Sequence, residues 1–163
     1  MGKAKAEKTS KLRCKDGRSR SPVKVEESAY SEKITRALTS CQAYLEKSIA
    51  AVEGASEEYD ISVWHAAAEL EYALFLFSLK NANSDVTPKW KTESADRSDP
   101  PAKLLQKAQV LVAKSRTSGI SGKWLEAYKA AFAARHILLR IQRESAKKKR
   151  DLLKRSNSYS SSS

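Results

Sequence analysis

Apolar residues recur along the chain in four stretches, each at helical spacing. Ile34, Leu38, Cys41, Leu45, Ile49 and Val52 stand three or four apart. They predict a first helix from about Tyr30 to Val52, stopped by Gly54. Val63, Ala67, Leu70, Leu74 and Phe77 stripe a second helix, from Asp60 as N-cap to Lys80. Trp64, Ala68, Phe75 and Leu79 widen that stripe beyond one face, so this helix is expected to be the most buried. Leu104, Leu105, Ala108, Leu111 and Val112 mark a third. It opens at Asp99-Pro100-Pro101, with Asp99 as cap and proline in the first turn, and ends near Arg116.

Gly119 and Gly122 flank a turn into a fourth helix, Ser121 to Arg155, with Ser121 as its cap. Trp124, Leu125, Tyr128, Ala131, Phe132, Leu138 and Leu139 share one side of its wheel, and that side fades after Ile141. A basic side continues. Arg140, Arg143, Lys147, Arg150 and Lys154 are 3, 4, 3 and 4 residues apart, which sets them in one row, with Lys148 beside it.

Four amphipathic segments, no strand pattern and mostly short connections predict an all-α fold. The expected form is an antiparallel four-helix bundle. Its long C-terminal helix extends beyond it, and its basic and serine-rich termini are disordered. Residues 1–28 then form a disordered basic arm and 29–142 the helical bundle, with a polar loop over 81–99. Residues 143–155 form a basic helical extension and 156–163 a serine-rich tail.

Charge sharpens this division. The 163 residues carry a net +12. Nine basic and two acidic residues give 1–24 a charge of +7, and eight and two give 140–155 a charge of +6. The remainder is left at −1, a neutral body between cationic ends, which is the pattern expected of contact with polyanions. In the arm, Lys11, Arg13, Arg18 and Arg20 are candidate phosphate contacts. Trp90, between Lys89 and Lys91, is a candidate to stack on a nucleobase, to anchor in a partner protein, or to pin its own loop. Ser21, in Ser-Pro-Val-Lys, and Ser158, after Arg155, are candidate phosphorylation sites whose added charge would weaken a grip on a polyanion.

Candidate catalytic chemistry is sparse. His65 and His136 stand on different helices with no cluster of further ligands, so no metal is expected. Cys41 lies in an apolar stripe, where cysteine behaves as a small hydrophobe. No glycine-rich phosphate loop is present, and no cofactor is expected. Cys14 and Cys41 cannot build a disulfide framework, and the most apolar run, Tyr72 to Leu79, is far short of a membrane span. Arg135 falls among Trp124, Tyr128, Phe132 and Leu138 on the wheel, and Glu69 and Glu71 are its expected partners.

These features predict a non-catalytic helical adaptor of the nucleus or nucleolus, within a ribonucleoprotein or chromatin assembly. Protein partners and RNA or DNA backbone are expected, and no membrane. The alternative is a protein–protein scaffold subunit whose Lys147-Lys148-Lys149-Arg150 run serves nuclear import alone.

Overall fold

The computed structural model describes the backbone of residues 22–52, 57–80 and 99–160, and the side chains of 29–52, 58–80 and 99–156. Four helices account for nearly all of it: α1 (Pro22–Ala51), α2 (Glu57–Lys80), α3 (Pro101–Ile120) and α4 (Trp124–Ser160). No strand occurs among the described residues. α1 packs on α2 and α3, and α4 packs on the same two.

Helix ends depart from the sequence expectation, each for a local reason. α1 starts at Pro22, so 22–28 belong to a helix rather than to the expected arm. Proline's fixed φ and missing N–H suit that first position, and no glycine or second proline follows before Tyr30. α2 starts at Glu57, which puts Asp60 inside its first turn rather than at the cap. At α3 the N-cap is Pro100, extended at φ −67° and ψ 154°, with no side-chain capping bond. Asp99 instead accepts from Lys103 at 2.8 Å and from Lys107. α3 also runs four residues past Arg116, because a helical glycine costs only about 1 kcal/mol relative to alanine.

The turn between α3 and α4 is a Schellman motif. Lys123 N donates to Ser118 O at 2.9 Å and Gly122 N to Gly119 O at 3.0 Å, with Gly122 at φ +74°. Ser121 is therefore the C-cap of α3, not the N-cap of α4. α4 then meets no glycine or proline and continues to Ser160, taking in five residues of the expected tail.

The core joins all four helices: Ile34, Leu38, Cys41 and Leu45; Val63, Leu70 and Phe77; Leu104, Leu105 and Val112; Leu138 and Ile141. Phe77 is fully enclosed and meets the rings of Trp124 and Tyr128 at 6.2 and 6.0 Å. α3 and α4 both bury small residues, Ala108, Ser115, Ser118 and Gly119 on one and Ala127, Ala131 and Ala134 on the other, and Gly119 lies beside Trp124 and Ala127. Small residues bring the two backbones close, and Ser115 Oγ donates across the seam to Ala127 O at 2.8 Å. Leu125, expected on the apolar side, points outward. α2 sends its Val63–Leu70–Phe77 side into the core as expected, but its second apolar face, with Trp64, Phe75 and Leu79, lies open to solvent.

Removing the Phe77 ring should cost about 3–5 kcal/mol, read as a lower denaturation midpoint for Phe77→Ala. Gly119→Ala has room beside Trp124 and should stabilise by about 0.5–1 kcal/mol, whereas Gly122→Ala, at positive φ, should destabilise. The Asp99 pKa is held at about 2 by hydrogen bonds from Lys103 and Lys107, which outweigh the opposing effect of burial; an ordinary value is 3.8. A depressed folded-state pKa contributes stability above about pH 4 that is lost as pH falls through about 2. Asp99→Asn should therefore flatten the acid limb of a melting temperature against pH profile.

Candidate nucleic-acid interface

The rotation of α4 about its axis is set by what its inner side touches. Leu138 and Ile141 are the last side chains of α4 sealed in the core. One turn on, Ser145 Oγ donates to Asp60 Oδ1 at 2.6 Å, and after another turn Lys149 Nζ meets Asp60 Oδ2 at 2.7 Å. Burial raises the Asp60 pKa, but hydrogen bonds from Lys149 and Ser145 and the Lys149 charge overcome this and hold the carboxyl below its usual range. Positions 138, 141, 145 and 149 thus face α2. With about 3.6 residues per turn, Arg140, Arg143, Lys147, Arg150 and Lys154 stand on the opposite edge.

Arg143, Lys147, Lys148, Arg150 and Lys154 are all exposed. Arg140 keeps its stem against the protein, with its side chain 20% exposed, and donates from Nε to Glu144 at 2.8 Å. Arg150 Nε reaches back to Ala146 O at 3.4 Å, which lays the guanidinium along the helix. From Arg140 to Lys154 the edge spans roughly 21 Å, the reach of several phosphates. Six of the sequence-selected residues are thereby gathered on one unbroken helix. Lys11, Arg13, Arg18, Arg20, Ser21 and Trp90 lie outside the described residues; Ser158 lies in the last turn of α4, its side chain outside the described set.

The remaining candidates sit in unreactive settings. Cys41 is fully buried, and burial, with a smaller push from the Glu69 charge, drives its thiol up to about 12. The His65 ring stacks on Tyr44 at 4.9 Å and meets Trp64 edge-on. His136 is exposed and edge-on to Phe132 at 4.7 Å. Among the described residues no group of three His, Cys, Asp or Glu side chains is placed to hold a metal ion, and no helix is long and apolar enough to cross a membrane. Arg135 pairs with Glu71, one of its two expected partners, but at the surface: the side chains are 32% and 46% exposed. Such a pair contributes about 1 kcal/mol or less.

Two features escaped the sequence reading. One is the Asp60 clasp, whose only linear signal is that Lys149 continues the 138–141–145 line while its basic neighbours do not. The other is a cleft of about 350 Å³ between α2 and α4, bordered by Asp60, Trp64, Ile141, Gln142 and Lys149. Comparison with protein families, with curated proteins and with solved structures finds no significant match to the chain.

Asp60→Asn should loosen α4 without unfolding the core. Hydrogen exchange should speed up at the amides of 145–152 and stay unchanged around Leu138. Uniform acceleration over the whole chain would show that Asp60 supports the core instead.

Proposed function

We propose that this protein is a non-catalytic nuclear or nucleolar adaptor of a ribonucleoprotein or chromatin assembly. In this reading its helices form an antiparallel four-helix bundle that binds protein. The outer edge of α4 contacts nucleic-acid phosphates without reading sequence. Contacts between opposite helix ends support the antiparallel arrangement. Lys80, ending α2, donates to Ser31 in the first half of α1 at 2.8 Å and lies 3.8 Å above the Trp124 ring that opens α4. Asp60, opening α2, joins Ser145 and Lys149 far along α4.

The single observation that carries the phosphate reading is the exposed cationic edge on the far side of a helix whose near side is clasped. Arginine and lysine in line at a spacing of one turn match a repeating anionic backbone, and each contact releases a counterion. Lys11, Arg13, Arg18 and Arg20 would add to that attraction, and phosphate at Ser21 or Ser158 would subtract about 1.5 to 2 charges each. The import-only alternative is less well supported. A linear import signal offers its cations together, whereas the helix turns Lys149 toward Asp60 and away from Lys147 and Arg150.

Anisotropy of labelled duplex DNA and RNA against salt tests the reading. The four exposed cations of the edge should contribute about −3 to −4 to the slope of log K against log salt. Replacing Arg143, Lys147, Arg150 and Lys154 by Gln should remove about 3 to 4 of that slope. All four are exposed, so the melting temperature should hold. A flat salt response of the unaltered chain would end the phosphate claim.

A further inference from the structure

α2 is apolar on two sides. Val63, Leu70 and Phe77 are sealed in the core, while Ile61, Trp64, Tyr72, Phe75 and Leu79 are 49, 61, 46, 57 and 43% exposed. Ala68, also exposed, completes this outer line. The six positions are 3, 4, 4, 3 and 4 residues apart, the alternation with which one helix meets another at a shallow crossing angle. They extend over about 27 Å. Five large side chains, each about half bared, leave roughly 500 Å² of apolar surface, near the top of what a monomer usually shows. A helix laid along them and touching their flanks approaches the roughly 800 Å² per partner of a stable interface.

The charge around this line selects the occupant. α2 holds five acids, Glu57, Glu58, Asp60, Glu69 and Glu71, and one base, Lys80, which is turned toward Ser31 and Trp124. By helical position Glu58 and Glu69 flank the line on one side and Glu71 on the other. Glu71 and Asp60 are already paired with Arg135 and Lys149 of α4, so Glu58 and Glu69, along one side of the line, are the acids that would meet a newcomer. Two copies of α2 set face to face would bring like charges together beside the seam, which disfavours self-pairing. Basic flanks on a different helix would instead be attracted. Midway, Ala68 leaves a notch one turn from both Trp64 and Tyr72, a socket for one large apolar side chain.

We infer that the outer face of α2 docks an amphipathic helix of a partner protein, with an apolar seam laid along Ile61–Leu79 and lysine or arginine on its flanks. The inference gives the protein-binding half of the proposed function its partner chemistry and rests on that half alone.

The test uses the full chain and a labelled helical peptide of about 20 residues, with a leucine and isoleucine seam and Lys/Arg flanks. The control keeps the seam and carries Glu flanks. The basic peptide should bind at least about tenfold tighter than the control. Phe75→Ser and, separately, Ala68→Lys should each weaken it by at least about tenfold. Both sites are exposed, so the melting temperature should hold. Equal affinity for the two peptides, or no binding of either, overturns the inference. So does a doubled mass in sedimentation, or uptake into phosphatidylcholine vesicles, that Phe75→Ser abolishes; the occupant would then be a second copy or a lipid surface. The Gln-substituted α4 chain should bind the peptide normally, and Phe75→Ser should leave the RNA salt slope intact. Failure of one reading is thus separable from failure of the other.

Discussion

Asp60 stands in the first turn of α2 and receives two donors from α4, the Ser145 hydroxyl and the Lys149 ammonium. Both donors lie beyond Ile141, where apolar burial has run out. A helix leaving a core is free to fray or swivel unless something polar holds it. Here one carboxylate, with its pKa lowered by the two donors, ties α4 to α2 over the two turns past the core. The far edge takes its direction from the packed side of the same helix, Leu138 and Ile141 first and Ser145 and Lys149 beyond them, because side-chain azimuth along a helix is set once any face is set.

The same contact divides the surface electrostatically. Arg135 and Lys149, which face α2, are paired with Glu71 and Asp60, and Arg140 pairs with Glu144 along its own helix, while Arg143, Lys147, Arg150 and Lys154 stand exposed on the far edge. α2, with five acids and one inward lysine, is the counterpart of the cationic end of α4. Two surfaces of different character thus lie on adjacent helices: an apolar line with acids beside it, and a line of cations. The proposed adaptor function rests on this separation, since a phosphate backbone and a basic helix would seek different sides of the molecule and would not compete.

Beneath these surfaces the packing is uneven in a way that matters. α3 and α4 bury alanine, serine and glycine, are joined by a Schellman turn at Gly122, and are linked by the hydrogen bond from Ser115 to Ala127 O. α2 meets its neighbours through large residues centred on Phe77, beside Trp124 and Tyr128. The result is a firm support for α4, and a helix α2 that spends only part of its apolar surface on the core.

Much of this was written in the linear pattern. Helical spacing of Ile34 to Val52, Val63 to Phe77, Leu104 to Val112 and Trp124 to Leu138 determined four helices, and the 3-and-4 spacing of Arg140 to Lys154 determined that these cations share an edge. Periodicity is a property of the chain alone, so both were legible. Helix ends were less so. Asp60 and Asp99 read as caps, but each found lysine partners, and a capping bond and an ion pair are close enough in energy for neighbours to decide between them. Only the tertiary structure showed that the second apolar side of α2, with Trp64 and Phe75, would stay bare. Trp64 and Phe75 are as hydrophobic as Val63 and Phe77, and the difference lies in which neighbouring helices happen to be there to cover them.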